Sequence, residues 1–167
     1  IFLLSSGNSR LYAEENRAFN FSTLNLNNGL SQLSVLDICQ DDKGYIWFAT
    51  RNGLNKYDGT HFTIYKHSNR DNNSLSDNHI TKLLPDNVRG GLWVGTNNGL
   101  NYLDPKTNLI TNYQLADYPE LPSNSILSLC LDKSGKLWVG TRLGLCFWQP
   151  ENKTFKLVTL DGQLDKE

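Results

Sequence analysis

Apolar residues along this chain come in bursts of four to six, and polar clusters rich in Gly, Asn, Asp and Pro separate them. Bursts fall at residues 35–40, 45–50, 54–57 and 62–66, then at 79–84, 92–96, 100–103 and 109–113. A third set follows at 126–131, 136–141, 145–148 and 155–159. All are rich in β-branched or aromatic residues, which predicts short strands. No stretch repeats its apolar positions at the helical spacing of 3.6 residues, so the predicted class is all-β.

The bursts recur in groups of four because the sequence itself repeats. Gly-Tyr-Ile-Trp-Phe-Ala-Thr-Arg-Asn-Gly-Leu at 44–54 returns as Gly-Gly-Leu-Trp-Val-Gly-Thr-Asn-Asn-Gly-Leu at 90–100. It returns again as Gly-Lys-Leu-Trp-Val-Gly-Thr-Arg-Leu-Gly-Leu at 135–145. Trp47, Trp93 and Trp138 are 46 and 45 residues apart. Four strands every ~45 residues is the pattern of a β-propeller blade. The expected turns are hairpins: Asp41-Asp42-Lys43-Gly44 and its two counterparts, then Asn52-Gly53, Asn98-Gly99 and Leu143-Gly144, then Asp58-Gly59-Thr60 and Asp104-Pro105-Lys106-Thr107.

The predicted division is therefore a lead-in at 14–34, blades at 35–66, 67–113 and 114–159, and the start of a further blade at 160–167. Three blades do not close a ring, since propellers use about 4–8. The chain is thus expected to be the first part of a larger protein. Phe19-Asn20-Phe21-Ser22-Thr23-Leu24 precedes the first inner strand and is expected to be a strand that closes the ring. Each repeated Trp is expected to pack between its own sheet and the next. Ala49, Gly95 and Gly140 keep side chains small where sheets approach, and Thr50, Thr96 and Thr141 are placed to bond across the blade.

Composition narrows the function. Net charge is −1 and Lys and Arg are scattered, whereas a surface that tracks phosphates needs them clustered; nucleic-acid binding is not expected. The apolar opening Ile1-Phe2-Leu3-Leu4, with Ala13 at a plausible cleavage position, reads at 1–13 as the remnant of a secretory signal peptide. No run approaches the ~20 apolar residues of a membrane span. Cys39, Cys130 and Cys146 are an odd number, which argues against a disulfide framework. Cys39, Leu84 and Cys130 are equivalent in the repeat, so a small apolar side chain is what the position needs.

From Phe21 through Asn28-Gly29-Leu30-Ser31, Gln40-Asp41, the phrase at 44–54 and on through Asn55-Lys56-Tyr57-Asp58-Gly59, the chain resembles the periplasmic sensor region of hybrid two-component regulators of gut Bacteroidetes. Ser74-Leu75-Ser76, Leu92-Trp93-Val94-Gly95-Thr96 and Gly99-Leu100 are similar to that family's propeller repeats. Ala49 stands where the family often has Gly, and Lys56 where Arg is commoner. The resemblance implies an exported, membrane-anchored, homodimeric sensor with two seven-bladed propellers and a β-sandwich outside the membrane. It implies a histidine kinase, a receiver and a DNA-binding domain inside, and a ligand drawn from fragments of polysaccharides.

No residue set in the chain points to catalysis, a metal or a cofactor. His61, His67 and His79 sit at unequal repeat positions with no metal-binding spacing. Function is better sought where the repeats differ. If the inner strand leaves one face, the loop that enters it and the loop after the Trp strand lie together on that face. Arg51, Asn52, Asn97, Asn98 and Arg142 come from one set of loops, and Ser34, Asn78, His79 and Asn124 from the other. Amide and guanidinium groups suit recognition of a neutral or acidic sugar through several hydrogen bonds. Two other readings compete: a propeller lyase of the streptogramin-inactivating type, and a non-catalytic scaffold that binds proteins along its rim.

Overall fold

The computed structural model describes residues 21–159. These residues form three four-stranded antiparallel sheets, each taking all its strands in sequence order from one repeat. The first contains β1 (Val35–Gln40), β2 (Ile46–Thr50), β3 (Gly53–Tyr57) and β4 (Phe62–Tyr65). The second contains β5 (Ile80–Asp86), β6 (Gly91–Thr96), β7 (Gly99–Asp104) and β8 (Leu109–Tyr113). The third contains β9 (Ile126–Leu131), β10 (Leu137–Thr141), β11 (Gly144–Gln149) and β12 (Thr154–Leu157). A single 3-10 turn, Leu26–Asn28, precedes them; Asn25 caps it and Gly29 ends it at φ 101°.

Register repeats with the sequence. Trp47 faces Cys39 and Lys56, Trp93 faces Leu84 and Tyr102, and Trp138 faces Cys130 and Phe147. The glycine that starts each third strand, at φ between 119° and 156°, sits in the tight turn where a side chain on an L-residue is strained. At Gly53 a Cβ would also lie 2.8 Å from the Tyr65 carbonyl oxygen.

The sheets fan out like propeller blades. Contacts between them run from β1 and β2 to β5, and from β5 and β6 to β9. Thus β1, β5 and β9 are the inner strands. Two apolar layers fill the gaps. One joins Trp47, Ala49 and Leu54 of the first blade to Leu75, Ile80, Leu92 and Val94 of the second. The other joins Trp93 and Leu100 of the second to Leu121, Ile126, Leu137, Val139 and Phe155 of the third. Trp47 and Trp93 are each only 1% exposed, as the repeat requires of a residue held between sheets. Trp138 is half-buried because no blade covers it among the described residues.

The small residues have the expected reason. A Cβ on Gly95 would lie 2.8 Å from Ile126 Cγ2, so the third blade's inner strand needs that space. The threonines bond both across the blade and locally: Thr50 and Thr96 meet the Ser31 and Ser76 hydroxyls at 2.9 and 3.0 Å. Thr50, Thr96 and Thr141 each donate to the carbonyl of the glycine opening the next strand, at 2.8, 2.8 and 2.9 Å, and so lock the hairpin. Residues 21–24 form no strand; Phe19, Asn20 and the segments 1–13 and 160–167 lie outside the described residues.

Candidate functional site

Three hydrogen bonds show that the two sets of variable loops lie on one face. Gly53 N–H donates to the Asn78 carbonyl at 2.8 Å, and Gly99 N–H to the Asn124 carbonyl at 2.7 Å. Asn97 N–H donates to the His79 carbonyl at 3.2 Å. The first two tie the loops entering β5 and β9 to the β2–β3 and β6–β7 turns of the preceding blade, and the third ties the loop entering β5 to the β6–β7 turn of its own blade. This rim carries Arg51 and Asn52, then Asn97 and Asn98, then Arg142, all exposed, with Asn78 and His79 half-buried beside them.

The structure gives these residues different duties. Asn78 Oδ1 accepts the His67 N–H at 2.8 Å, and Asn124 Oδ1 accepts the Leu115 N–H at 2.6 Å. These two asparagines thus pin equivalent connections between blades. Asn98 is brought together with its neighbours: its Oδ1 accepts from Asn124 Nδ2 at 3.2 Å, and its carbonyl accepts from Gln114 Nε2 at 2.8 Å. Asn52 Nδ2 reaches the Ser31 carbonyl at 3.4 Å. Arg51 is on the first blade and Arg142 on the third, so the second blade stands between them.

Beside Asn98 the rim deepens into a polar cavity of about 510 Å³. Its walls are the 67–76 connection, the end of β8 and the turn after it, with His67, Ser68, Asn69, Asp71, Asn112, Gln114 and Asp117 among the lining groups. His67 holds the connection in place: Nδ1 lies 2.6 Å from the Leu75 carbonyl and Nε2 lies 2.8 Å from Asn69 Oδ1. Apart from Asn98, none of these lining residues was singled out for binding in the sequence. They lie in connections that differ in length and composition between repeats, so no periodic signal marks them.

A different constellation recurs in every blade. Asp41 Oδ2 accepts the Trp47 indole N–H at 2.9 Å, Asp86 that of Trp93 at 3.1 Å, and Asp132 that of Trp138 at 3.0 Å. The other oxygen of each carboxylate takes backbone N–H groups of its own turn. Backbone and side-chain donors around Asp132, chiefly the Ser134 hydroxyl and the Trp138 indole, hold its carboxyl well below the usual range. Burial pushes the thiols of Cys39 and Cys146 up to about 12, which keeps them protonated. Among the described residues, no three His, Cys, Asp or Glu side chains converge as metal ligands, and no helix is long and apolar enough to cross a membrane.

Fold and rim define three consecutive blades of a β-propeller. The two-component regulator propeller family model matches residues 29–52 and 120–142. The chain is 47% identical over 62 residues to histidine kinase P4 of Formosa agariphila. That match covers 37% of this chain and 4% of the kinase. It is also similar to the extracellular domain of a hybrid two-component system from B. thetaiotaomicron, at 26% identity and a TM-score of 0.46, over 84% of this chain and 26% of that one. PorZ, a surface component of the type-IX secretion system of Porphyromonas gingivalis, shares the fold at a TM-score of 0.58 and 18% identity, over 75% of this chain and 19% of PorZ. The chain therefore spans about a quarter or less of the length of each of these relatives.

Proposed function

We propose that this chain is part of the extracytoplasmic sensor of a two-component histidine kinase, and that its amide-rich rim recognises polysaccharide-derived oligosaccharides to control glycan-utilisation genes. The match to two-component regulator propeller repeats carries the first half of that reading. The polar cavity beside Asn98 supports the second. A neutral sugar offers hydroxyls that both donate and accept, and the cavity presents amides, hydroxyls and a histidine that answer them. Of the rim residues, Asn98 lines this cavity, and Arg51, Asn52, Asn78, His79, Asn97 and Arg142 offer further polar groups along the same face. The segment itself performs no chemistry. A ligand shifts the sensor by binding the signalling arrangement better than the resting one, and a homodimer joined to kinase domains across the membrane relays that shift.

The test is calorimetric titration of the full-length protein with neutral plant and host oligosaccharides. Saturable heat with at least one of them, weakened tenfold or more by Gln114→Ala, is the expected outcome. No heat with any glycan overturns sugar sensing and turns attention to protein partners on the same rim.

A further inference from the structure

On the opposite face, at the other end of the strands, a cleft opens between the second and third blades. The β5–β6 and β9–β10 turns and the end of β11 with its following turn enclose about 410 Å³. A second hollow of about 360 Å³, reaching Tyr113, Tyr118 and Lys153, continues from it. Arg89, Trp148 and Pro150 line both, so the two are one groove with Arg89 at its junction.

The cleft exists because one turn is longer than its counterparts. Asp86 and Trp93 are seven residues apart, while Asp41 and Trp47, like Asp132 and Trp138, are six apart. The longer turn carries Val88 across the seam, so that its Cγ2 lies 3.8 Å from where a Cβ on Gly135 would be. Val88 is nevertheless 80% exposed and forms a lip on the cleft.

Its charge is positive by one. Arg89, Lys136 and Lys153 are set against Asp86 and Glu151. Asp86 is already committed: it accepts from the Trp93 indole and from the Val88 and Arg89 amides, and lies 3.8 Å from the Arg89 guanidinium. With Arg89 paired to Asp86, three cations stand against two carboxylates, a net charge of +1. An aromatic wall stands beside them, with the Tyr113 and Tyr118 ring centres 5.3 Å apart and Tyr113 packed 5.0 Å from Trp148. Arg offers a carboxylate or sulfate two parallel N–H donors, and an apolar wall suits the C–H face of a sugar ring.

We propose that this groove binds an anionic saccharide, a pyranose unit carrying a carboxylate or a sulfate. Arg89 and Lys153 take the anion, and Tyr113 and Tyr118 flank the ring. A cavity of this size accommodates a mono- or disaccharide. The proposal is independent of the neutral-sugar reading of the rim, and either can fail alone.

Calorimetry on the full-length protein carrying Gln114→Ala, which weakens the rim cavity and so separates the two sites, tests it with four probes: a glucuronate disaccharide, a sulfated disaccharide, an uncharged disaccharide and a glutamate-rich peptide. Saturable binding of one anionic disaccharide is expected, weaker at high salt and at least tenfold tighter than the uncharged one; which of the two anions wins identifies the group recognised. Arg89→Gln should lower that affinity tenfold or more. Lys153→Asn should do the same while keeping a residue that tolerates the φ of 51° at this position, and Lys43→Gln, on a distant turn, should leave it unchanged. Three results overturn the proposal: no binding of either anionic disaccharide, equal or tighter binding of the uncharged disaccharide or the peptide, or unaltered affinity in both cleft variants at native melting temperature.

Discussion

Asp41, Asp86 and Asp132 look ordinary as turn residues, since aspartate favours hairpins by accepting its own backbone amides. The structure adds a second duty, because the same carboxylate also accepts a buried or half-buried indole N–H in every blade. The turn and the interblade core are thus joined through one side chain. Removing it from the middle blade leaves the Trp93 N–H without a partner in a site 1% exposed, and Asp86→Ala is expected to cost about 2–3 kcal/mol in urea unfolding. In the third blade the effect is visible through pH. A carboxyl held low in the folded chain contributes stability that is complete above the unfolded value of about 4 and is lost as pH falls below it. The melting-temperature gap between the native chain and Asp132→Asn should therefore be widest near neutral pH and close steadily below about pH 4.

At the scale of the element, the three repeats solve one problem in two ways. Asn55 Oδ1 accepts the Ser31 N–H at 2.8 Å, and Asn101 Oδ1 accepts the Ser76 N–H at 2.8 Å. The third blade has Pro122 and Cys146 at the equivalent positions. Proline has no N–H to satisfy, so a buried amide there would lack its partner, and the small, weakly polar thiol fills the space instead. Cys146→Asn and Pro122→Ser should each destabilise the chain by about 1–3 kcal/mol, since each strands one polar group. The double variant should lose clearly less than the sum, as a double-mutant cycle measures. Additive losses would mean that the pair is not coupled.

Across the whole molecule, equivalent residues differ in exposure because of what lies next to them. Cys39 packs against the first interblade layer and Leu84 against the second, whereas Cys130 is exposed on the outer face of the third blade. Packing is thus the role of Cys39, but among the described residues Cys130 has no sheet to pack on. In this chain Cys130 should react with a thiol reagent at pH 8 at least tenfold faster than Cys39 or Cys146, whose thiols burial holds protonated. In a longer protein with a further blade on that face, Cys130 should be shielded as Leu84 is. Mass mapping of the alkylated cysteines distinguishes these outcomes.

Local chemistry made the twelve strands, their hairpins and the propeller class legible before any coordinates. Short apolar bursts, glycines in turns and a ~45-residue repeat all act within a few residues or recur visibly along the chain. The shared rim was also derivable, because antiparallel pairing dictates which loops meet. Other features were settled only when sheets were laid side by side. Asn78 and Asn124 became pins for the interblade connections, Asn98 became one wall of a polar cavity, and a single extra residue between Asp86 and Trp93 opened a basic groove across a seam. Such sites join residues from different blades whose spacing follows no period, so only the packed structure brings them within reach of one ligand.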